Sequence, residues 1–168
     1  MKLLSMNTAI YSCTRLEELA AEFSIGRGDV ILTNRYILSG AALDAMSGAS
    51  VIWKEDYGKG EPTDVMVNAI RAECPRDAKR IIALGGGTVM DVAKLLVLPL
   101  DRPLESFLAP DAEFIREREL ILVPTTCGTG SEMTNISIIT FTGIHFKGGI
   151  VSDTLYADTA VLIPQLLE

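Results

Sequence analysis

Short apolar runs alternate along this chain with stretches whose apolar residues return every three or four positions, and that alternation predicts the elements. Thr14–Ile25 carries Leu16, Leu19, Ala20 and Phe23 at helical spacing, with Thr14 as its cap. Asp29–Asn34 reads as a buried strand, Tyr36–Met46 as a helix ending near Gly48, and Ser50–Lys54 as a second strand. Gly58–Asp64 is a loop, and Pro62 stands at the start of the next helix, Thr63–Glu73. Arg80–Leu84 is a third strand, Val89–Leu98 a helix, and Leu104–Pro110 a short helix or turn. Glu119–Pro124 is another buried strand and Asn135–Phe141 a further extended run. Thr142–Ser152 reads as a hairpin or loop, and a strand-like AVLI (Ala160–Ile163) follows.

Strands and helices in this alternation predict an α/β fold, a doubly wound and mostly parallel Rossmann-like sheet. Such sheets bind ligands beyond the carboxyl ends of their strands. Two conspicuous loops begin at strand ends. The first is Gly85, Gly86 and Gly87, followed by Thr88 as a helix cap and by Asp91 three residues on, in the manner of a capping box. Glycines there let phosphate oxygens approach the main chain at the positive end of the helix. The same residues also suit a tight turn with nothing bound. The run is neither GxGxxG nor a P-loop. The second loop, VPTTCGTGSEMTN, brings Thr125, Thr126, Thr129, Ser131 and Thr134 to the next strand end, and hydroxyls serve phosphate, ribose or carboxamide. Together the two loops favour a nucleotide cleft over two surface turns.

Composition narrows the picture. The 168 residues suit one domain, and 48% hydrophobic with 22% charged residues is a globular profile. A net charge of −7 without a basic stripe argues against nucleic acid. No apolar run nears the ~18 residues of a membrane span, and MKLLSMNTAIYSC lacks the apolar stretch of a secretory signal. Cys13, Cys74 and Cys127, odd in number and widely spaced, suit a reducing cytoplasm. Cys127 reads as a packed thiol, and Trp53 and the methionines as core. His145 is the only histidine and reads as a polar loop residue, so no site of several imidazoles lies within the chain.

The two loops carry a resemblance. GGGTVMDVAK resembles the GGGSxxDxAK motif of iron-containing alcohol dehydrogenases, with Thr88 in place of Ser, and PTTCGTGSEMT resembles that family's PTTxGTGSExT motif. The likeness runs from Val30 through YADTAVLIP, and GRGDVILTN, YGKGEP and ELILVPTTCGTGSEMTNISI look like the family's 4-hydroxybutyrate dehydrogenase branch.

The resemblance implies an N-terminal α/β domain that binds NAD or NADP, here residues 1–168. It also implies a separate helical domain holding Fe²⁺ or Zn²⁺ through one Asp and three His, which is absent from this chain. The 168 residues alone are then expected to be inactive, with no catalytic or metal-binding residue of their own. A short alcohol or aldehyde such as 4-hydroxybutyrate or succinate semialdehyde is the implied substrate, and a homo-oligomer the implied assembly. A nucleotide module without its own activity, and an enzyme of the glycerol dehydrogenase or dehydroquinate synthase type, are the rival readings.

By the same resemblance the Gly85–Gly87 loop, Thr88 and the amides of Val89 and Met90 hold the diphosphate. Asp91 lies towards the nicotinamide or caps its helix. Thr125 and Thr126 reach the adenosine end, with Thr129 and Thr134 in the same cleft. Lys94 matches a family lysine, though a lysine on a helix is ordinarily solvated. Asn34 stands where many relatives have an Asp that repels a 2′-phosphate, so weak discrimination between NADH and NADPH is expected. Lys147 is the candidate for the family's ribose-contacting lysine, with Gly148 as the alternative register. The chain departs from the family pattern at Ile163-Pro164 and at Glu61.

Overall fold

The computed structural model describes residues 8–167. Six strands form one sheet: β1 (Ala9–Ser12), β2 (Asp29–Thr33), β3 (Ser50–Trp53), β4 (Arg80–Gly85), β5 (Glu119–Pro124) and β8 (Thr159–Leu162). Their order is β1-β8-β5-β4-β2-β3 and every pairing is parallel. The helices are α1 (Leu16–Glu22), α2 (Gly40–Ala45), α3 (Asp64–Glu73) and α4 (Gly87–Leu96). Two further strands, β6 (Ile136–Phe141) and β7 (Phe146–Val151), pair antiparallel as a separate hairpin.

The central strands read as continuous apolar runs because both faces of the sheet are covered. Val30, Leu32, Ile81, Ala83, Leu120 and Leu122 pack on one side with α3, α4 and the hairpin. Ile31, Ile82, Leu84, Ile121 and Val123 pack on the other with α1 and the segment around α2. The period of two along each strand assigns alternate residues to the two layers. Arg71 fastens the far end of α4, donating to Leu95 O at 2.8 Å and Pro99 O at 2.6 Å. Leu95 O is one of the carbonyls that a helix C-terminus leaves without intrahelical partners, and Pro99 lies in the segment that follows the helix.

The chain runs outward from β2 to β3, returns to β4 on the other side of β2, and continues to β5. The direction of winding therefore reverses between β2 and β4, the place where doubly wound sheets open a crevice. Gly85 pairs with Pro124, and Thr125 N donates to Gly85 O at 3.1 Å. The glycine and threonine loops thus leave the sheet side by side.

The structure differs from the sequence reading in several places. β1 is an additional strand, and its four residues are all exposed at the sheet edge. The strand-like AVLI segment forms β8, but away from its neighbours in sequence, between β1 and β5, with Ala160, Val161 and Ile163 buried. α2 begins at Gly40, four residues later than Tyr36. Thr14 does not cap α1; Arg15 holds that position, while Thr14 N and Oγ1 donate to Glu18 Oε2 at 2.6 and 2.7 Å. Met46, Met66 and Met90 are core residues, Met133 and Trp53 are half-buried, and Met1 and Met6 lie outside the described residues.

Candidate functional site

α4 starts at Gly87, two residues earlier than the sequence suggests. Its cap is Gly86, in extended conformation and without a side-chain hydrogen bond. Thr88 is therefore not the cap but a residue of the first turn, and Asp91 has no capping-box role. The glycines have a local reason to be bare. A Cβ on Gly85 would lie 2.7 Å from Val89 Cβ, one on Gly86 3.2 Å from Thr126 Oγ1, and one on Gly87 3.0 Å from Thr129 Cγ2. Close packing of α4 on its strand and of the threonine loop on α4 demands them.

Two cavities open on this helix terminus. One, of about 420 Å³, is lined by Asn34, Tyr36, Lys54, Glu55, Gly86 and Thr126 among others. The second, of about 270 Å³, has a largely apolar wall of Pro62, Ile136, Ile138 and Ile139, with Asp91, Thr129, Ser131, Thr134 and Lys147 around it. Gly87 and Thr88 line both. The first N–H groups of a helix lack intrahelical acceptors and carry partial positive charge, so the shared point of the two cavities suits an anion.

The residues singled out in the sequence distribute unevenly. Asn34, Gly86, Gly87, Thr88, Val89 and Thr126 line the larger cavity. Asp91, Thr129, Thr134 and Lys147 line the smaller. Gly85 and Thr125 line neither and instead join the two loops. Met90 also lines neither: its side chain is fully buried and its N–H donates to Gly86 O at 3.1 Å, which removes it from the set of free helix amides. Lys147, not Gly148, faces the cavity. Its Nζ lies 2.6 Å from Glu61 Oε2, whereas Gly148 sits beneath the Phe146 ring. His145 is exposed at the turn before β7. Cys127, expected to be packed, is exposed at the tip of the threonine loop.

Behind the apolar cavity stands a polar network that the sequence reading missed. Lys94, expected in solvent, has 0% side-chain exposure. Its Nζ donates to Ser131 Oγ at 2.9 Å, Thr134 Oγ1 at 3.0 Å and Ile136 O at 2.7 Å. Asp91 Oδ1 lies 3.6 Å from Nζ and accepts the Ser131 hydroxyl at 2.6 Å, while Oδ2 accepts Ile138 N–H at 3.1 Å. Burial pulls the Lys94 pKa down from the ordinary 10.5 to about 8, against the opposing pull of Asp91 and then Glu132. The sequence held one signal. VMDVAKLLVL is apolar on nearly every face, and a helix of that kind is enclosed by protein.

The hairpin is fastened at its other end by Asp64, whose Oδ1 accepts Thr142 N–H at 3.0 Å and the Thr142 hydroxyl at 2.9 Å. These bonds draw the carboxyl pKa down against the cost of burial. Beside the larger cavity, Lys54 Nζ holds the GKG turn through Gly58 O at 3.1 Å and Gly60 O at 3.0 Å, and burial lowers its pKa. Among the described residues no group of three or more His, Cys, Asp or Glu comes together as a metal site.

Fold and cleft define a doubly wound α/β domain with two adjoining cavities at its switch point. The iron-containing alcohol dehydrogenase family model matches residues 7–164, and the chain belongs to that family. It is 41% identical over 169 residues to the 4-hydroxybutyrate dehydrogenase of Clostridium kluyveri, across 100% of this chain and 46% of the relative. It is 33% identical over 130 residues to the sulfoacetaldehyde reductase of Bilophila wadsworthia, across 73% of this chain and 33% of the relative. Among solved structures, the sulfoacetaldehyde reductase of Bifidobacterium kashiwanohense in complex with NAD⁺ shares the fold. Its TM-score is 0.82 at 22% identity, covering 99% of this chain and 47% of that one. The chain spans less than half the length of these relatives.

Proposed function

We propose that this chain is the cofactor-binding domain of an NAD(P)-dependent, metal-dependent alcohol dehydrogenase that interconverts 4-hydroxybutyrate and succinate semialdehyde, or a similar short hydroxy compound and its aldehyde. The observation that carries the reading is the meeting of two cavities at Gly87 and Thr88. A dinucleotide has this shape: a doubly charged diphosphate between two nucleosides. The helix amides at Gly87–Val89 would take the diphosphate. The cavity with Asn34, Glu55 and Thr126 would take the adenosine, and the cavity with Asp91, Thr129, Thr134 and Lys147 the nicotinamide riboside. Its apolar wall of Ile136 and Ile138 suits one face of a flat ring and keeps water from it. When bound, the nicotinamide accepts or returns a hydride.

The likeness to the Clostridium kluyveri enzyme over the whole chain supports the substrate class. The absence of a metal-type side-chain cluster among the described residues is not a fit for iron or zinc. On this reading the metal ligands come from outside the 168 residues, as a helical domain of the same enzyme, and the residues here do no bond-making of their own. The enzyme is read as a cytoplasmic homo-oligomer.

A charge at the shared point tests the nucleotide reading. Thr88→Glu places a carboxylate in the first turn of α4, where it favours the helix by about 0.3–1 kcal/mol. It also repels a diphosphate. Calorimetric titration with NADH should show binding to the parent and on the order of tenfold or greater loss in the variant, with thermal stability kept or raised. Equal affinity in the two proteins would remove the diphosphate from this helix terminus.

A further inference from the structure

We propose that Lys94, which lines neither cavity, is a positioning residue for the nucleotide: it holds the threonine loop and the start of β6 against α4 at the separation that the smaller cavity requires. The inference rests on the nucleotide reading of the cleft. An ammonium has three N–H groups, and each has its own acceptor here, in Ser131 Oγ, Thr134 Oγ1 and Ile136 O. Ser131, Thr134 and Ile136 all line the smaller cavity. One buried amine therefore ties three wall residues to a helix whose first turn forms the shared floor of both lobes. Asp91 joins the same tie from one turn earlier, through the Ser131 hydroxyl and Ile138 N–H.

The tie depends on the proton. A neutral amine has two N–H groups, so deprotonation removes one of the three donated bonds and the charge that strengthens the other two. Two charges act on Nζ: Asp91 from α4 and Glu132 from the threonine loop. The facing residues of β6, Ile136, Ser137 and Ile138, carry none. Burial outweighs both, so the ammonium is lost near pH 8, well below the range of a solvated lysine. Losing the proton relieves the desolvation of the amine and favours the fold as a whole. It loosens the loop at the same time. Nucleotide affinity and global stability should then move in opposite directions across one titration, which a purely structural lysine would not produce.

The experiment is a calorimetric titration with NADH between about pH 6 and pH 10, on the parent protein and on Thr134→Val and Lys94→Met. Parent affinity should hold at the acid end and fall by on the order of tenfold through pH 8 to 9. Thr134→Val leaves two acceptors, which the two N–H groups of a neutral amine can serve. It should bind more weakly at pH 7 and show a much smaller step. Lys94→Met, if it folds, should bind weakly with no step. A flat parent profile, or a full-sized step in Thr134→Val, overturns the inference while leaving the nucleotide reading standing. No binding at any pH overturns both.

Discussion

Thr129 stands against Gly87 so closely that a Cβ on the glycine would lie 3.0 Å from Thr129 Cγ2. The two residues are the contact at which the threonine loop rests on the first turn of α4. Gly87→Ala gains helix propensity, worth about 1 kcal/mol at an unobstructed site, and loses it to the overlap with Thr129. Thr129→Ala removes the obstructing atoms. The double variant should be more stable than the sum of the single variants predicts, by about 0.5 kcal/mol or more. Urea denaturation of the four proteins measures the coupling, and additivity would mean that the loop does not rest on the helix at this point.

Cofactor choice turns on the larger cavity. Asn34 offers a hydrogen bond without a charge, and Lys54, Lys59 and Glu55 line the same space. The two ammonium groups offset the one carboxylate, so neither NADH nor NADPH should be strongly excluded. Asn34→Asp adds a negative charge where a 2′-phosphate would lie and should shift the ratio of affinities towards NADH by on the order of tenfold, about 1.4 kcal/mol. Fluorescence titration with the two cofactors measures the ratio. An unchanged ratio would mean that residue 34 does not face the adenosine ribose.

Lys94 also makes a prediction about stability. Its folded pKa is about 8 against an ordinary 10.5. Between those values the unfolded chain holds a proton that the folded protein has released, so the unfolding free energy rises with pH across that window. The contribution is about 3 kcal/mol. Cys74 and Tyr57, whose pKa values burial raises, act in the opposite sense. The difference between the parent and Lys94→Met cancels them. That difference, from denaturation at several pH values, should grow in favour of the parent between about pH 8 and pH 10.5. A difference independent of pH would place the amine in contact with solvent.

Much of this architecture was legible in the chain. β4 and β5 announced themselves as unbroken apolar runs, and the two motif loops were correctly placed at their ends because a parallel sheet puts its ligand loops there. β1 escaped because Ala9–Ser12 is exposed along its whole length, so no periodicity marks it. Lys94 escaped for the opposite reason. A single charged residue suggests solvent unless the surrounding helix is recognised as enclosed, and its partners Ser131, Thr134 and Ile136 are brought to it only by the fold of the threonine loop and the start of β6. Thr88 reads as a cap because the apolar periodicity begins only at Val89, whereas backbone geometry starts the helix at Gly87. In the sequence the glycines suit either phosphate approach or a tight turn. Their contacts with Val89, Thr126 and Thr129 show that protein packing also requires them.

The central claim is that one dinucleotide spans both cavities with its diphosphate at Gly87 and Thr88. Amide-resolved NMR during titration with NADH tests it most directly. Three groups of amides should shift together along one binding curve: Gly87–Val89 at the shared floor, Asn34 and Thr126 in the larger lobe, and Thr129, Ser131 and Lys147 in the smaller. The separate hollow near Asn68, Arg76 and Arg102, at the opposite end of α4, should remain still. Shifts confined to one lobe, or centred on that distant hollow, would contradict the account.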